Sequence, residues 1–301
     1  MFRGILSQQS IGTIFIAVFL SIIVGSLSAS LLIDLMCHIH SNTYEYSFSQ
    51  ISTYLLEHTN VLRTAQLIQS TFTFLLPAIF VANLISIKPS SFLYLNTTST
   101  TSKYALSGVC IVILLPIISL TALVNESLSL PHFLEPIELV FQKWETQAKE
   151  LTSILIDTNN PAEIGYNYFV IAVAAAVTEE FLFRGIIQNL LVKRLKNHHF
   201  AIWIAAAIFS FTHFQIYGFI PRLILGAYLG YLLYWTTSLY VPIFAHFCNN
   251  AFTLTVMYGF HSNISNTQNS STLNISESIL LSIPAIIIFF WLIKSLKQNS
   301  E

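Results

Sequence analysis

Val177-Thr178-Glu179-Glu180-Phe181-Leu182-Phe183-Arg184-Gly185 sets two adjacent carboxylates and a guanidinium inside a run that otherwise reads as membrane-spanning. An ionisable side chain at the centre of a bilayer costs at least about 2.5–3.5 kcal/mol on insertion scales, so it is rare unless paired or used. Here three such groups share one short stretch. Something must offset that cost, and chemistry is the leading reading.

Composition sets the class. Of 301 residues, 54% are hydrophobic and only 9% are charged, against about 25% charged in soluble proteins. A chain this apolar reads as a polytopic membrane protein whose partner is the lipid bilayer. A net charge of −1 gives no basis for a nucleic-acid partner. Cys37, Cys110 and Cys248 show neither metal-ligand spacing nor a disulfide framework and read as apolar filler.

Eight apolar segments punctuate the chain, at about 11–35, 67–87, 104–124, 166–192, 200–214, 222–235, 241–260 and 278–293. The first is too long for a signal-peptide core, so it reads as a retained span. Hydrophilic loops are expected at 37–66, 88–103 and 261–277. Between the third and fourth segments, Leu134, Ile137, Phe141, Trp144, Ala148, Leu151 and Leu155 form an amphipathic stripe, with Glu138, Gln142, Glu145 and Lys149 expected on the opposite face. Two readings stay open for this helix, an interfacial one on the bilayer and a flap over the mouth of a site. With the amino terminus inside, Arg3, Lys88, Lys103, Lys193, Arg194, Lys196, Lys294 and Lys297 fall on the inner side and Arg63, Lys143 and Lys149 on the outer. The positive-inside bias thus predicts eight spans in a cell membrane with both termini cytoplasmic.

Polar groups recur on the later spans. Glu180 and Arg184 are four apart and face one another on a helix, which leaves Glu179, about 100° further round, free to take a proton from water. The alternative is an ion pair that locks two helices. His213 closes the fifth segment. His246 and Asn250 share a helix face and could polarise a carbonyl or hold an oxyanion, or simply hydrogen-bond neighbouring helices. The fifth and sixth segments are shorter than the roughly 20 residues needed to cross. For the two histidines to meet, these helices must sit sunken or the turn near 236–242 must dip into the membrane, and a water-accessible cavity is expected there.

Glu179-Glu180-xxx-Arg184, then Phe209-xxx-His213, then His246-xxx-Asn250, in this order on successive apolar segments, resembles the CPBP (CAAX protease and bacteriocin-processing, or Abi) family of intramembrane proteases, which includes the type II CAAX prenyl endopeptidases. The resemblance covers about residues 165–255. It implies that Glu179 and His213 activate a water, that His246 and Asn250 hold the oxyanion, and that Glu180 and Arg184 support them. The family is usually labelled a metalloprotease. Glu179, His213 and His246 are the candidate ligands for a zinc ion, but no His-Glu-xx-His helix is present, so no obligatory cofactor is predicted and zinc is held open.

The expected organisation is an amino-terminal transmembrane region at 1–164, a core resembling that family at 165–255, and a last span with a cytoplasmic tail at 256–301, all α-helical around an intramembrane polar cavity. The expected function is an intramembrane endopeptidase acting on a membrane-associated protein or peptide, such as a leader peptide, a pheromone precursor or a membrane regulator. Two rivals are a non-proteolytic bacteriocin-immunity or regulatory protein on the same scaffold, and a proton-coupled transporter. Intact motif residues disfavour the first, and the missing internal repeat disfavours the second.

Overall fold

The computed structural model describes residues 3–41, 48–127, 131–264 and 275–298. Among these residues there is no strand, and the chain is an all-α polytopic membrane protein. Helix α1 is Ile11–Ser41, α2 is Phe48–Glu57, and α3 is Thr59–Ile85 with a π-helical turn at Thr71–Leu75. Helix α4 is Thr101–Glu126 and α5 is Glu135–Ile156. Helix α6 covers 161–195 and alternates between α-helical Pro161–Asn167, Ala175–Glu180 and Asn189–Leu195 and π-helical Tyr168–Ala174 and Phe181–Gln188. Then come α7 at His198–Phe211, α8 at Phe219–Thr236, α9 at Tyr240–Ile264 and α10 at Ile275–Gln298.

Every expected span is a helix. Four helices are long and apolar enough to cross a membrane by length and composition: α1, α3, α4, and α8 with its preceding turn. The helices bearing the polar motifs, α6 and α9, are not among them. Their site residues displace the apolar ones that would raise hydropathy.

Where the structure departs from expectation, buried polar contacts explain it. The hydrophilic loop expected at 37–66 is largely helix, with α1 running to Ser41 and α3 starting at Thr59; residues 42–47 lie outside the described residues. Arg63 is 1% exposed. Its Nε donates to Asn167 Oδ1 at 2.8 Å, its Nη2 to the Leu155 carbonyl at 3.2 Å, and its Nη1 pairs with Glu163 at 3.0 Å. This end of α3 is polar because it faces protein rather than lipid. The segment after α3 is likewise no free loop. A helical turn at Pro89–Phe92 leads to a strap in which the Tyr94 carbonyl accepts from Leu239 N (3.2 Å) and the Thr97 carbonyl from Ser238 Oγ (2.6 Å). Ser238 and Leu239 of the turn between α8 and α9 are thereby buried in protein. Of the loop expected at 261–277, α9 takes the first part to Ile264 and α10 the last from Ile275. Residues 265–274 are outside the described residues.

Two apolar cores flank the middle of the bundle. One joins Val18 of α1, Val81 of α3, Phe183 and Ile186 of α6 and Phe209 of α7. The other joins Ile111 of α4, Leu229 of α8, Ala245 of α9 and Leu296 of α10. Between them lies a polar seam.

The π-helical turn of α3 is where α1 comes closest. A Cβ on Gly25 would stand 2.0 Å from the Phe72 carbonyl oxygen, so only glycine allows this approach. Gly25→Ala is expected to destabilise the protein by about 1–3 kcal/mol, read as a lowered thermal midpoint in detergent. Gly259→Ala, where a Cβ meets nothing within 4 Å, serves as the control.

Candidate active site

The seam is built from four helices. On α6, the α-helical step Ala175–Glu180 sits between the two π-helical stretches. Such irregular turns are frequent at functional sites because they shift which residues face inward. Glu180 is fully buried, and its Oε1 takes two hydrogen bonds: Arg184 Nη1 at 2.7 Å and His246 Nδ1 at 2.9 Å. The arginine therefore does not merely neutralise a helix neighbour. Together with His246 it makes a three-member array from α6 to α9 across the seam.

Arg184 is held on its other sides. Its Nη2 donates to the Gly226 carbonyl of α8 at 2.9 Å, and its guanidinium lies 4.7 Å from the centre of the Phe209 ring. One turn on, Gln188 Nε2 donates to the Gly230 carbonyl at 3.0 Å. These two rungs need α8 to approach closely. A Cβ on Gly226 would meet Ala206 Cβ at 3.1 Å, and one on Gly230 would meet Gln188 Oε1 at 2.7 Å. Gly226-xxx-Gly230 is thus a small-residue packing motif that exposes carbonyls to α6. The motif was readable in the sequence; its partner, Gln188, was not.

Glu179 points the other way, into a cavity of about 570 Å³ that Phe209, His213, Arg222, His246 and Asn250 also line. Its Oε2 is 3.8 Å from His246 Nε2. His213 does not end a helix as expected. Helix α7 stops at Phe211, and His213 follows in the turn, with Nδ1 3.0 Å from the Phe209 carbonyl. That bond leaves its Nε2 as the free ring nitrogen. The ring of Phe209, the first residue of the Phe209-xxx-His213 motif, stacks edge-on to both His213 (5.1 Å) and His246 (5.9 Å). Asn250 Nδ2 donates to the Ile171 carbonyl at 3.2 Å, and Asn249 donates to Asn250 Oδ1 at 3.1 Å. Glu179, His213, His246 and Asn250 are thus brought to one cavity, while Glu180 and Arg184 lie behind it.

The hydrogen bonds assign tautomers. Each histidine gives Nδ1–H to an acceptor, His213 to a carbonyl and His246 to Glu180, so each neutral ring turns an unprotonated Nε2 outward. Glu179 and His246 therefore present acceptors to one another across their gap, the arrangement that a water or a proton bridges.

The three residues expected as zinc ligands carry suitable donors. Among the described residues, however, no three His, Cys, Asp or Glu side chains form a group that could hold a metal ion.

Helix α5 reaches the site. Its Leu155 and Thr152 line the cavity beside Gln66 and Ser70 of α3, and Trp144 packs edge-on to Phe214 at 5.4 Å. Glu138 and Glu145, expected on the face opposite the apolar stripe, are half-buried. Glu138 Oε1 accepts from Tyr217 at 3.1 Å, and the Glu145 side chain is 15% exposed. On the same helix Ile137, Leu139, Val140 and Trp144 are exposed. A helix whose inner face touches the turn after His213 packs by those contacts rather than by its apolar stripe alone.

Comparison with known proteins agrees with the likeness read from the motifs. Residues 161–252 match the family described as type II CAAX prenyl endopeptidase Rce1-like, a family of proteases. The uncharacterized protein YpbD of Bacillus subtilis (strain 168) is 35% identical over 80 residues, which cover 25% of this chain and 38% of that relative. The match thus spans well under half of the relative's length. No solved structure matches.

Truncating Glu180 leaves the buried Arg184 charge uncompensated. Glu180→Ala is expected to cost about 3–5 kcal/mol of stability, whereas Glu179→Ala, at a cavity wall, costs far less. Thermal unfolding of the two variants side by side measures the difference.

Proposed function

We propose that this protein is an intramembrane endopeptidase that hydrolyses a peptide bond of a membrane-associated protein or peptide by adding an activated water. The observation that carries the reading is the Glu179 carboxylate 3.8 Å from His246 Nε2, on a cavity shared with His213 inside an otherwise apolar bundle. The match to a family of endopeptidases over the same helices supports it.

In this reading Glu179 accepts a proton from water while His213 Nε2 orients the same molecule as a second acceptor. The hydroxide adds to the substrate carbonyl. The oxyanion needs donors, and a neutral His246 offers none from Nε2. Passing the proton from Glu179 to His246 Nε2 turns that ring into a donor to the oxyanion, and Glu180 at its back stabilises the resulting imidazolium. Asn250 supplies the second donor. The proton then goes to the leaving amine, which closes the cycle with water consumed and two termini made. No metal enters this scheme.

The charge bias of the loops supports a cell-membrane protein with cytoplasmic termini. In that orientation the cavity opens toward the outer side. Its lining residues Gln66 and Ser70 fall in the outer half of α3, and Leu115, Ile118 and Ala122 in the outer half of α4. The start of the chain is at the other end, where Gly4 N donates to the Asn83 carbonyl.

The test is purified protein with a quenched peptide library in detergent. Cleavage is expected in the wild type, with a loss of at least about 10²-fold in Glu179→Gln and in His213→Ala and no loss on chelation. Undiminished cleavage in either variant contradicts the assignment. Loss on chelation that zinc restores overturns the metal-free scheme.

A further inference from the structure

Arg222 of α8 is the cavity-lining cation whose charge no neighbour meets directly. The two fully buried arginines among the described residues each have a carboxylate at ion-pair distance, Arg184 with Glu180 and Arg63 with Glu163. Arg222 has only neutral partners. Its Nη1 donates to Gln215 Oε1 and its Nη2 to the Gln215 carbonyl, both at 2.8 Å. Its Nε is enclosed and has no acceptor. Two of its five N–H donors are used, and the rest of the fork is unspent.

The placement is built rather than incidental. The guanidinium lies flat on Gly218, where a Cβ would stand 2.4 Å from Nη2 and 2.7 Å from Cζ. Gln215 below and Gly218 beside it hold the fork in the cavity wall, in the same turn that carries His213. The carboxylates in electrostatic reach are Glu179, on the reacting side, and Glu145 of α5. Glu145 Oε1 lies 3.7 Å from Lys149 Nζ, while its Oε2 is enclosed and has no hydrogen-bond donor. Arg222 lines the cavity, and Glu145 acts on its charge from outside the lining without an ion pair between them.

We propose that Arg222 is the substrate-anchoring residue of this site and that it binds a carboxylate of the peptide, either a free C-terminus or an Asp or Glu side chain. This rests on the endopeptidase reading and gives it a substrate class. Guanidinium and carboxylate match as two parallel charge-assisted hydrogen bonds, and in a cavity otherwise lined largely by aliphatic side chains such a pair fixes which way the peptide lies. Glu145 competes for the same charge until the peptide arrives.

The experiment measures binding apart from cleavage. Glu179→Gln protein in nanodiscs is titrated with fluorescent apolar peptides of one sequence, made as the C-terminal acid, as the C-terminal amide, and as the amide with one internal Asp. The anisotropy is expected to give about tenfold tighter binding for a carboxylate-bearing form than for the plain amide, and the acid and Asp forms tell which carboxylate is read. Adding Arg222→Gln removes the preference, Arg222→Lys restores part of it, and Glu145→Gln tightens the carboxylate form alone. Equal binding of all three peptides, or no binding, overturns the proposal. So does a preference that survives Arg222→Gln or is untouched by Glu145→Gln. Cleavage by the wild type is scored separately, so the absence of hydrolysis with the preference intact would count against the enzyme and not against the anchor.

Discussion

One buried carboxylate organises the centre of this bundle. Glu180 Oε1 binds Arg184 and His246 at once, and those two side chains belong to α6 and α9, far apart in the chain. In a low-dielectric interior neither charge of the Glu180–Arg184 pair is tolerable alone, and the hydrogen bond from His246 ties that pair to α9. Arg184 then reaches the Gly226 carbonyl and the face of Phe209, which brings in α8 and α7. The array is costly to build, and what it secures is geometry: the ring of His246 has one orientation and one free nitrogen.

That orientation divides the adjacent carboxylates into two roles. Glu180 is enclosed, and its Oε1 is taken by two hydrogen bonds. Glu179, one residue earlier, opens onto the cavity. The π-helical stretches on either side of Ala175–Glu180 set how far each turns, and Gly226 and Gly230 let α8 close on α6 from behind. The protein around the site is apolar on both flanks, which excludes water except where the cavity admits it and so strengthens each polar contact within.

The eight apolar segments and the three polar motifs were legible in the sequence because hydropathy and i, i+4 spacing are local signals. The pairing of Glu180 with Arg184 was legible for the same reason. The bond from Glu180 to His246 was not, since it spans 66 positions in the chain, and without it His246 reads as a donor instead of an acceptor. The polar end of α3 was taken for loop because Arg63 finds its partners, Asn167 and Glu163, about a hundred residues away. Glu138 and Glu145 were placed outward because a charge run is usually a solvated face. Glu138 instead meets Tyr217 in the turn after His213, a contact that no periodicity within α5 reveals. The Ser/Thr-rich segment after Lys88 reads as a connector, yet its carbonyls cap the turn that leads into α9.

The account stands on Glu180 setting the protonated nitrogen of His246. Nitrogen NMR of isotope-labelled histidine in nanodiscs, with His246→Gln used to assign the signal, reads this directly. The account predicts that neutral His246 carries its proton on Nδ1, with an unprotonated Nε2, and that Glu180→Gln disturbs this state. A His246 ring protonated on Nε2 alone, or one indifferent to Glu180→Gln, contradicts it.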